Sequence, residues 1–464
     1  MSTSLITPAQ WAQMEFALVQ LGDQRRTKRL INIATKLAAN PGGTLPQAFG
    51  QWDELKAAYR FFSQPRNSRE QILAPHLERT LAQCRQPGEY LLIEDTSDLD
   101  YSHHPITEQL GVIGDGRGRG LRLHSTLALR VEAWNLEQRP EAVVLGLMHQ
   151  QCWAQKTRPQ GRGRYQPGRK RASERWAAVF QQAGGPPTGS RWIYIADRES
   201  DFNEPIRRCQ QHGVDFVIRA CHDRRLANEE AHLWEWIAQA PVLGQLTVPL
   251  RARPGQAART AIVEVRSASV RLHGTWRPGG PQPDLELNVV QAQEVDAPPG
   301  VEPLHWILLT SLPCATLTQA RRVIGCYIAR WHIEEYHKAL KSGAGVEESQ
   351  LEQAYRLESL IAVLAIVAVR LFNSKLLARA CPDEPLDQKQ IGSELLLLLA
   401  TKFGQPKEGW TNRSYLVAVA RLGGFIGRKS DGLPGWQTIW RGWRRLIWMA
   451  QGLETLSQAG GRCG

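Results

Sequence analysis

The sequence predicts an α/β protein with an antiparallel β insertion and with helical regions at both ends. Two short apolar runs, YLLIED and WIYIAD, each end in an acid and are typical of buried strands. Between residues 222 and 302, two stretches alternate between apolar and polar residues and are separated by Pro and Gly, which predicts antiparallel strands. Residues 8–85 and the residues after 350 show helical patterns.

Length, charge and cysteine usage limit the function classes. A chain of 464 residues is long enough for roughly two to four domains. Lys plus Arg exceed Asp plus Glu by 57 − 45 = 12, which favours a polyanionic partner, above all nucleic acid; a basic enzyme with another substrate is the alternative. The eight cysteines are dispersed without a C-x-x-C pair, so zinc-site spacing is absent and reduced thiols are expected.

No segment favours a membrane or an export signal. The first residues, MSTSLITPAQ, lack the charged and apolar regions of a signal peptide. The most apolar stretch, LESLIAVLAIVAVRLF, is bracketed by Glu358 and Arg370 and falls short of the ~18 uninterrupted apolar residues of a membrane span. We therefore expect a buried helix there, no membrane partner and a cytoplasmic location.

The N-terminal region, residues 1–75, is expected to be a helical domain. Four basic residues open one of its amphipathic runs: Arg25, Arg26, Lys28 and Arg29. Such a cluster is either an ordinary solvated face or a contact with the DNA backbone.

An α/β core is expected to follow in two parts, residues 76–221 and 303–373, with the β insertion at 222–302 between them. Within the core, the segment 156–175 has eight Lys and Arg side chains against one Glu and is too polar to pack unaided. A polyanion such as DNA could order it.

The C-terminal region, residues 374–464, is expected to be helical. Trp436, Trp440 and Trp443 lie at helical spacing in it. Large apolar side chains in this pattern suit either core packing or a helix–helix contact in a dimer.

Two aspartates are candidates for chemistry because each closes an apolar run and precedes a polar turn. They are Asp95 and Asp197. In open α/β sheets functional groups gather beyond the carboxyl ends of strands, so the two carboxylates are expected to lie close together and to raise one pKa unless a cation sits between them. Oxygen ligands without Cys or His select Mg²⁺ or Mn²⁺. Taken singly, either aspartate would be an ordinary turn residue.

A polar stripe supplies the third candidate acid. The segment YIARWHIEEYHKALK predicts one helix, on which five residues follow one another by three, four, four and three positions and fall within an arc of roughly 80°. They are Tyr327, Arg330, Glu334, Lys338 and Lys341. Glu334 would be a metal ligand, and the other four would hold DNA phosphates or stack. The alternative is a salt-bridged surface, whose pairs contribute only ~0.3–0.5 kcal/mol each.

The spacing Y-x2-R-x3-E-x6-K resembles the signature of cut-and-paste DDE transposases of bacterial insertion sequences. The group is often called insertion-sequence-four and includes transposon five and its relatives. Further blocks resemble that family in order along nearly the whole chain: YRFFSQP, IEDTSDLDYS, IADRESDF, FVIRACH, HWILLTS, RWHIEEYHKALKSGAG and ARLGGFIGRK.

The resemblance implies an RNase H-like catalytic core with an inserted β subdomain, an N-terminal DNA-end-binding region and a C-terminal dimerisation region. It implies the catalytic triad Asp95, Asp197 and Glu334, a two-metal Mg²⁺ site in which Mn²⁺ is expected to substitute, and a bacterial cytoplasmic protein associated with the nucleoid. The implied partners are the inverted-repeat ends of the element, target DNA and a second copy of the chain in the DNA complex.

The resemblance also implies a DNA hairpin intermediate with a flipped base. Trp306 falls where the family's base-stacking tryptophan lies, although from the residues alone it reads as a core residue. Phosphates near the flipped base would be held by Arg219, Tyr327, Arg330 and Lys341. The basic residues from Arg25 to Arg29 lie in the end-recognition region.

The expected function is thus excision of a transposable element by metal-dependent strand cleavage, followed by joining of its 3′-OH ends to target DNA. Two alternatives remain open at this point. One is a non-catalytic DNA-end-binding or inhibitory relative, and the other is a stand-alone RNase H-like nuclease.

Overall fold

The computed structural model describes most of the chain. The described residues are 7–104, 107–155, 174–227, 230–250, 258–277, 280–380, 382–386, 393–428, 431–432 and 434–460. The predicted role of the basic segment 156–175 falls outside these residues, apart from Glu174 and Arg175.

Five helices are described in the N-terminal region, from residue 7 onward. They are α1 (Pro8–Phe16), α2 (Gln24–Ala39), α3 (Leu45–Ala48), α4 (Trp52–Phe62) and α5 (Arg69–Cys84). Side-chain caps begin several of them: the side chain of Asp23 accepts from the Arg25 N–H at 2.8 Å, and that of Ser68 accepts from the Gln71 N–H at 3.3 Å. Because α5 continues to Cys84, the helices extend past residue 75 up to the first strand.

A buried polar chain connects this region to the sheet. His76 contacts Glu15 through Nδ1 at 2.8 Å, and its Nε2 accepts the Leu147 N–H at 3.0 Å. The second bond requires a lone pair on Nε2, so the ring proton lies on Nδ1 and is donated to Glu15. One histidine therefore joins α1, α5 and the strand that contains Leu147.

Ten strands of the described residues form one sheet, and two short strands form a separate pair. The strands are β1 (Gly88–Asp100), β2 (Gly111–Ile113), β3 (Gly118–Trp134), β4 (Pro140–Trp153), β5 (Ser190–Ala196), β6 (Asp215–Arg219), β7 (Val242–Leu250), β8 (Arg259–Leu272), β9 (Trp276–Arg277), β10 (Gly280–Pro281), β11 (Leu285–Val295) and β12 (His305–Thr310). The path through the large sheet is β2-β3-β1-β5-β6-β12-β11-β8-β7, with β4 also paired to β3, and the small pair is β9 with β10.

The centre of the sheet has the order β4-β3-β1-β5-β6. In it β1, β5 and β6 run parallel to one another, and β3 runs antiparallel to both β1 and β4. This mixed sheet with helices before and after it is consistent with the RNase H-like core, so the expected fold class is confirmed. The strands of the insertion are antiparallel as predicted. They extend the same sheet, because β11 pairs with β12 from Asn288↔Thr310 to Gln293↔His305.

Nine further helices are described after the first strands. They are α6 (Val179–Ala183), α7 (Asn203–Gln211), α8 (Leu233–Gln239), α9 (Leu317–Ala329), α10 (Trp331–Lys338), α11 (Ala354–Ala380), α12 (Ser393–Phe403), α13 (Asn412–Leu422) and α14 (Trp436–Gly460).

Strand alternation divides the core into two faces. Ile93 of β1 and Ile195 of β5 project into an apolar cluster with the N-terminal helices and with α9, α10 and α11. Leu92 and Tyr194 project to the opposite face and pack with α6, α7 and α8. By the same alternation Asp95 and Asp197 face α9 and α10.

The prediction of one continuous helix from Tyr327 to Lys341 is wrong. Helix α9 ends at Ala329, α10 begins at Trp331, and residues 339–343 form a π-helical turn. At the break, the Arg330 N–H bonds the carbonyl of Tyr327, three residues back, instead of the fourth, which tightens the turn. In the π turn, a Cβ on Gly343 would lie 2.5 Å from the Trp440 ring, so packing of α14 shapes this segment.

Helix α11 is a core helix. Within the described ranges, Ala354–Leu376 is the one helical stretch long and apolar enough to cross a membrane, and 72% of its most apolar window is buried inside the protein. This confirms the expected buried helix. Trp440 is buried, and Trp443 packs against a small apolar cluster formed by α12, α13 and α14. Both contacts are core packing; the Trp436 side chain lies outside the described part.

Candidate active site

Pairing of β1 with β5 places Asp95 beside Asp197. The parallel register runs from Gly88↔Ser190 to Glu94↔Ala196, so the two aspartates are the next residues on their strands. Asp197 follows β5 directly and caps a 3₁₀ turn at Arg198–Ser200, its Oδ1 accepting the Glu199 N–H at 2.8 Å. The two carboxylates thus share one edge and one face.

The sequence predicts that Asp95 closes its strand, and this prediction is wrong. Strand β1 continues to Asp100 because its other neighbour, β3, pairs with it from Glu89↔Val131 to Asp100↔Gly120. Asp95 lies where the parallel partner ends and the antiparallel partner continues. Its carboxylate therefore sits on a rigid strand at the rim of the parallel part of the sheet.

Arg330 connects this strand to the helix that carries Glu334. Its Nη1 lies 3.5 Å from Asp95 Oδ2, and its Nη2 contacts Glu334 Oε1. All three side chains are largely buried: the exposed fractions are 14% for Asp95, 13% for Arg330 and 26% for Glu334. Two acids from elements far apart in sequence therefore share one guanidinium.

The pKa of Asp95 is raised to about 7. Burial is the largest cause, because it removes the charged carboxylate from water, and repulsion by Asp197 is the second. Arg330 and the Thr96 N–H, which donates to Asp95 Oδ1 at 2.8 Å, act in the opposite direction, whereas Glu334 adds repulsion. The expectation that two close carboxylates raise one pKa is confirmed.

A second group of predicted residues lies beside the acids. Trp306 is buried and meets the Tyr327 ring edge-on, with centroids 5.0 Å apart. Arg219 Nη2 donates to the His305 carbonyl at 3.2 Å. The pKa of Tyr327 is raised by burial and by Asp197, against the opposing charges of Arg330 and Arg219. The structure therefore brings these side chains together at one edge of the sheet.

The two lysines of the stripe do not contact Glu334. Lys338 Nζ lies 3.5 Å from Glu335, and Lys341 Nζ lies 3.4 Å from Glu347. Lys338 lies on α10 with Glu334 but contacts Glu335, whereas Lys341 lies in the π turn, off the line that an uninterrupted helix would give. Both retain exposed surface, so they remain available to a ligand outside the carboxylate cluster.

The N-terminal basic residues lie on α2, which packs against α1, α4 and α11. The Arg25 side chain is 91% exposed and pairs with Asp23, while Arg26 donates to the Leu21 carbonyl at 3.3 Å. Lys28 is exposed and Arg29 is half-buried. These residues form a separate surface from the acids on the sheet.

Sequence reasoning missed a buried carboxylate directly behind the site. Glu94 is fully buried and contacts His124, Thr126 and Tyr194. Burial opposes its charge, but His124, the Ala177 N–H and the Tyr194 hydroxyl outweigh it and lower the pKa of Glu94. The sequence does contain a signal for it: Glu94 is a second acid in the apolar run YLLIED. Strand alternation directs its side chain to the face opposite Asp95.

The donor set suits a hard divalent cation. Asp95, Asp197 and Glu334 offer only carboxylate oxygens, the ligands that Mg²⁺ and Mn²⁺ prefer. After burial, repulsion by Asp197 is the second cause of the raised pKa of Asp95, and a cation would relieve it. The three side chains could therefore hold such an ion.

A different cluster meets the distance expected of metal ligands. In the described part of the chain, Asp201, Cys221 and His222 have ligand atoms within 4.8 Å of one another. Asp201 is already engaged by Arg224 at 2.5 Å and by the backbone N–H groups of Cys221 and His222 at 2.6 and 2.9 Å. This carboxylate anchors a turn, and its charge is already neutralised.

Asp95→Asn is expected to stabilise the metal-free protein at about pH 8. Between the unfolded pKa of 3.8 and the folded pKa of about 7, the carboxyl group is protonated in the folded state and ionised in the unfolded state. The free energy of unfolding therefore falls as the pH rises through this interval, and above it the full cost of the buried charge is present. The free energy of unfolding is expected to increase by about 2 kcal/mol. The whole pKa shift, at ~1.4 kcal/mol per pKa unit, would give more, but Asn weakens the contact with Arg330. Urea unfolding in EDTA between about pH 4 and pH 8 measures it; the gain should vanish at the acidic end.

Asp100→Asn, on the same strand, is the control. Hydrogen bonds from Ser102 lower the pKa of Asp100, so its ionised form is favoured by folding and its replacement should not stabilise at pH 8. An Asp95→Asn variant no more stable than wild type at pH 8 would show that burial and repulsion do not raise the pKa of Asp95.

Comparison with known protein families gives two matches, one in the N-terminal helices and one in the α/β core. Residues 8–67 match the family model described as Transposase DNA-binding, which includes the basic surface of α2. Residues 190–370 match the model described as Transposase DDE domain, which includes Asp197 and Glu334; Asp95 lies before the matched range. The chain therefore combines a transposase DNA-binding domain with a DDE transposase domain, and together they support a DNA transposase.

Proposed function

We propose that the protein excises a transposable element by divalent-metal-dependent strand cleavage and joins its 3′-OH ends to target DNA. The observation that carries the proposal is the convergence of Asp95, Asp197 and Glu334 on one face of the sheet, around a shared arginine. The transposase DDE and DNA-binding matches support it. The Y-x2-R-x3-E-x6-K spacing favours the insertion-sequence-four group.

Asp95, Asp197 and Glu334 are proposed as the catalytic carboxylates and as the ligands of two Mg²⁺ ions, with Mn²⁺ as a substitute. When bound, a pair of such ions activates an attacking oxygen and stabilises a leaving one in phosphoryl displacement. The protein's part is to hold three acids on two strands and a helix so that little reorganisation is needed.

The cationic side chains around the acids are proposed to hold the DNA backbone. Arg330 presents a planar guanidinium that can grip a phosphate with two hydrogen bonds. Arg219 and Tyr327 lie on the same edge, and Lys338 and Lys341 supply charge further along the helix. These contacts would set the register of the scissile bond without reading sequence.

A DNA hairpin on the element end is proposed as the intermediate, with Trp306 stacking on a flipped base. In the free protein the Trp306 ring packs edge-on against Tyr327. A base can join this aromatic pair if Trp306 turns outward, and stacking of this kind contributes ~1–3 kcal/mol per base.

The proposed partners are inverted-repeat DNA ends, bound through the N-terminal region, and target DNA. A homodimer in the DNA complex, with the C-terminal helices as dimerisation region, is part of the proposal, as are a bacterial cytoplasmic location and association with the nucleoid. The proposed division is 1–75 for end binding, 76–221 and 303–373 for the core, 222–302 for the inserted β subdomain and 374–464 for dimerisation.

Asp95→Asn, Asp197→Asn and Glu334→Gln are each expected to lower the strand-cleavage rate at least about 10³-fold while binding of the inverted-repeat ends persists, because an amide is a poor ligand for a hard cation. The measurement is Mn²⁺- and Mg²⁺-dependent nicking of a plasmid that carries the two inverted repeats, with end binding followed by gel shift.

Asp201→Asn is the matched control, because Asp201 is a buried carboxylate in the same turn region that is already paired with Arg224. Its nicking rate should stay far above that of the three variants. Full cleavage by any of the three would refute the assignment. A wild type that binds the ends and never nicks would instead favour the non-catalytic relative.

Arg25→Ala with Lys28→Ala is expected to weaken end binding about tenfold or more and to reduce the dependence of affinity on salt, because two exposed charges on α2 would no longer neutralise phosphates. Binding titrations between about 50 and 200 mM salt measure both effects. Lys407→Ala, an exposed lysine in the C-terminal region, is the control. An unchanged salt dependence in the double variant would remove α2 from the interface.

Trp306→Phe is expected to slow hairpin formation about tenfold and to leave first-strand nicking near the wild-type rate, because the smaller ring stacks less well while the acids are untouched. A denaturing gel of the reaction separates nicked, hairpin and joined products. If wild type yields nicked DNA and neither hairpin nor joined products, the stand-alone nuclease is favoured over the transposase.

A further inference from the structure

Glu94 is a buried carboxylate with no role in the proposed reaction. It has 0% exposure and stands next to Asp95 on β1, but alternation turns it to the opposite face of the sheet, among Tyr194, Trp176 and Phe180. A charge in such a place is costly unless hydrogen bonds and an opposite charge satisfy it, and an apolar side chain of similar size would avoid the cost. Packing alone therefore does not explain Glu94.

Both oxygens of Glu94 are fully used. Oε1 accepts from the Thr126 hydroxyl at 2.8 Å and lies 3.3 Å from His124 Nε2. Oε2 accepts from the Tyr194 hydroxyl at 2.6 Å and from the Ala177 N–H at 2.7 Å. The donors come from β3, from β5 and from the segment before α6, so one carboxylate ties three parts of the core together.

One branch of this network leads to Asp197. The Tyr194 hydroxyl lies 3.1 Å from Ser200 Oγ, and Ser200 is in the 3₁₀ turn that Asp197 caps. The Ser200 N–H also bonds the Asp197 carbonyl at 3.1 Å. Glu94 thus fixes the turn that orients Asp197.

The other branch leads to Asp95. His124 Nδ1 lies 2.9 Å from Thr96 Oγ1, and the Thr96 N–H donates to Asp95 Oδ1 at 2.8 Å. Trp176 packs edge-on against the His124 ring, with centroids 4.7 Å apart, and holds the imidazole in place. Glu94 therefore reaches both aspartates through residues directly beside or near them in the chain.

The backbone is strained to complete the network. Ala177 has φ = 54°, a left-handed conformation that non-glycine residues seldom adopt. This conformation occurs at the residue whose N–H donates to Glu94 at 2.7 Å. Such local strain persists where the surrounding structure over-determines it.

We propose that Glu94 is a positioning residue for the metal site: its carboxylate holds Asp95 and Asp197 at the spacing that divalent cations need. The inference rests on the proposed function and adds to it a residue on the far side of the sheet. A purely structural role, in which Glu94 only stabilises the fold, is the competing explanation.

Mn²⁺ affinity of the DNA-free protein, measured by titration calorimetry, tests the proposal. Glu94→Gln keeps the size of the side chain but places an amide against the donors, so Mn²⁺ affinity should fall about 10- to 100-fold, as is usual when support behind a metal ligand is removed. Tyr194→Phe removes only the hydroxyl between Glu94 and Ser200 and should lower affinity about threefold to tenfold.

Two matched variants separate positioning from stability. Glu15→Gln alters a second buried carboxylate that contacts a histidine, on α1, and Tyr90→Phe removes a buried hydroxyl from the same face of β1, where it bonds the Gln83 carbonyl at 2.9 Å. Both should bind Mn²⁺ as wild type does. Nicking by Glu94→Gln should recover toward the wild-type rate at saturating Mn²⁺. The folded fraction is measured by circular dichroism without the metal, because a metal that binds the folded state also shifts the folding equilibrium, and Glu94→Gln should be folded there.

Wild-type Mn²⁺ affinity in a folded Glu94→Gln variant would overturn the inference, as would an equal loss in Glu15→Gln. If Glu94→Gln does not fold, Tyr194→Phe decides, and an affinity equal to that of Tyr90→Phe counts against the proposal. Failure of the proposed function looks different: wild type binds no Mn²⁺, or Asp95→Asn binds it unchanged, and both proposals then fall together.

Discussion

Parallel pairing of β1 with β5 forces two carboxylates into the same small volume. The register ends at Glu94↔Ala196, and the next residue on each strand is an aspartate that faces α9 and α10. Backbone hydrogen bonds and the apolar layers on both faces fix this spacing, so the repulsion between Asp95 and Asp197 cannot be relieved by moving them apart. Most other features of the site offset this repulsion or hold the two aspartates in place against it.

Side chains on both faces of the sheet compensate for the repulsion between the two aspartates. On the face of the acids, Arg330 contacts Asp95 and Glu334, and the pKa of Asp95 is raised to about 7. On the other face, the buried carboxylate of Glu94 accepts hydrogen bonds from Thr126, Tyr194 and Ala177 and lies 3.3 Å from His124. A site whose negative charge is only partly offset by Arg330, on a rigid frame, favours cations, which agrees with the proposed metal chemistry.

Much of this arrangement follows from the sequence. Two apolar runs ending in acids, a period-two insertion and an apolar helix after residue 350 predict the core strands, the antiparallel extension and α11. The acid at the end of each run also selects Asp95 and Asp197 as candidates for the site. These features are local, because each depends on periodicities of two or about 3.6 residues within one element.

Other features depend on partners far away in the chain and could not be predicted. The polar stretch after Asp95 looks like a turn, yet pairing with β3 continues the strand to Asp100. The stripe looks like one helix, yet a tightened turn at Arg330 and the packing of Trp440 on Gly343 divide it. Lys338 and Lys341 contact Glu335 and Glu347 instead of Glu334. Glu94 reads as a strand-end acid until Tyr194, His124 and Ala177 are seen around it.

Anomalous X-ray scattering from crystals of the protein soaked in Mn²⁺ shows directly whether the paired aspartates hold a metal ion. We expect an anomalous peak between the carboxylates of Asp95 and Asp197, within coordination distance of both, together with movement of Arg330 away from Asp95. No peak there in soaked crystals, or a peak only at Asp201 and His222, would contradict it.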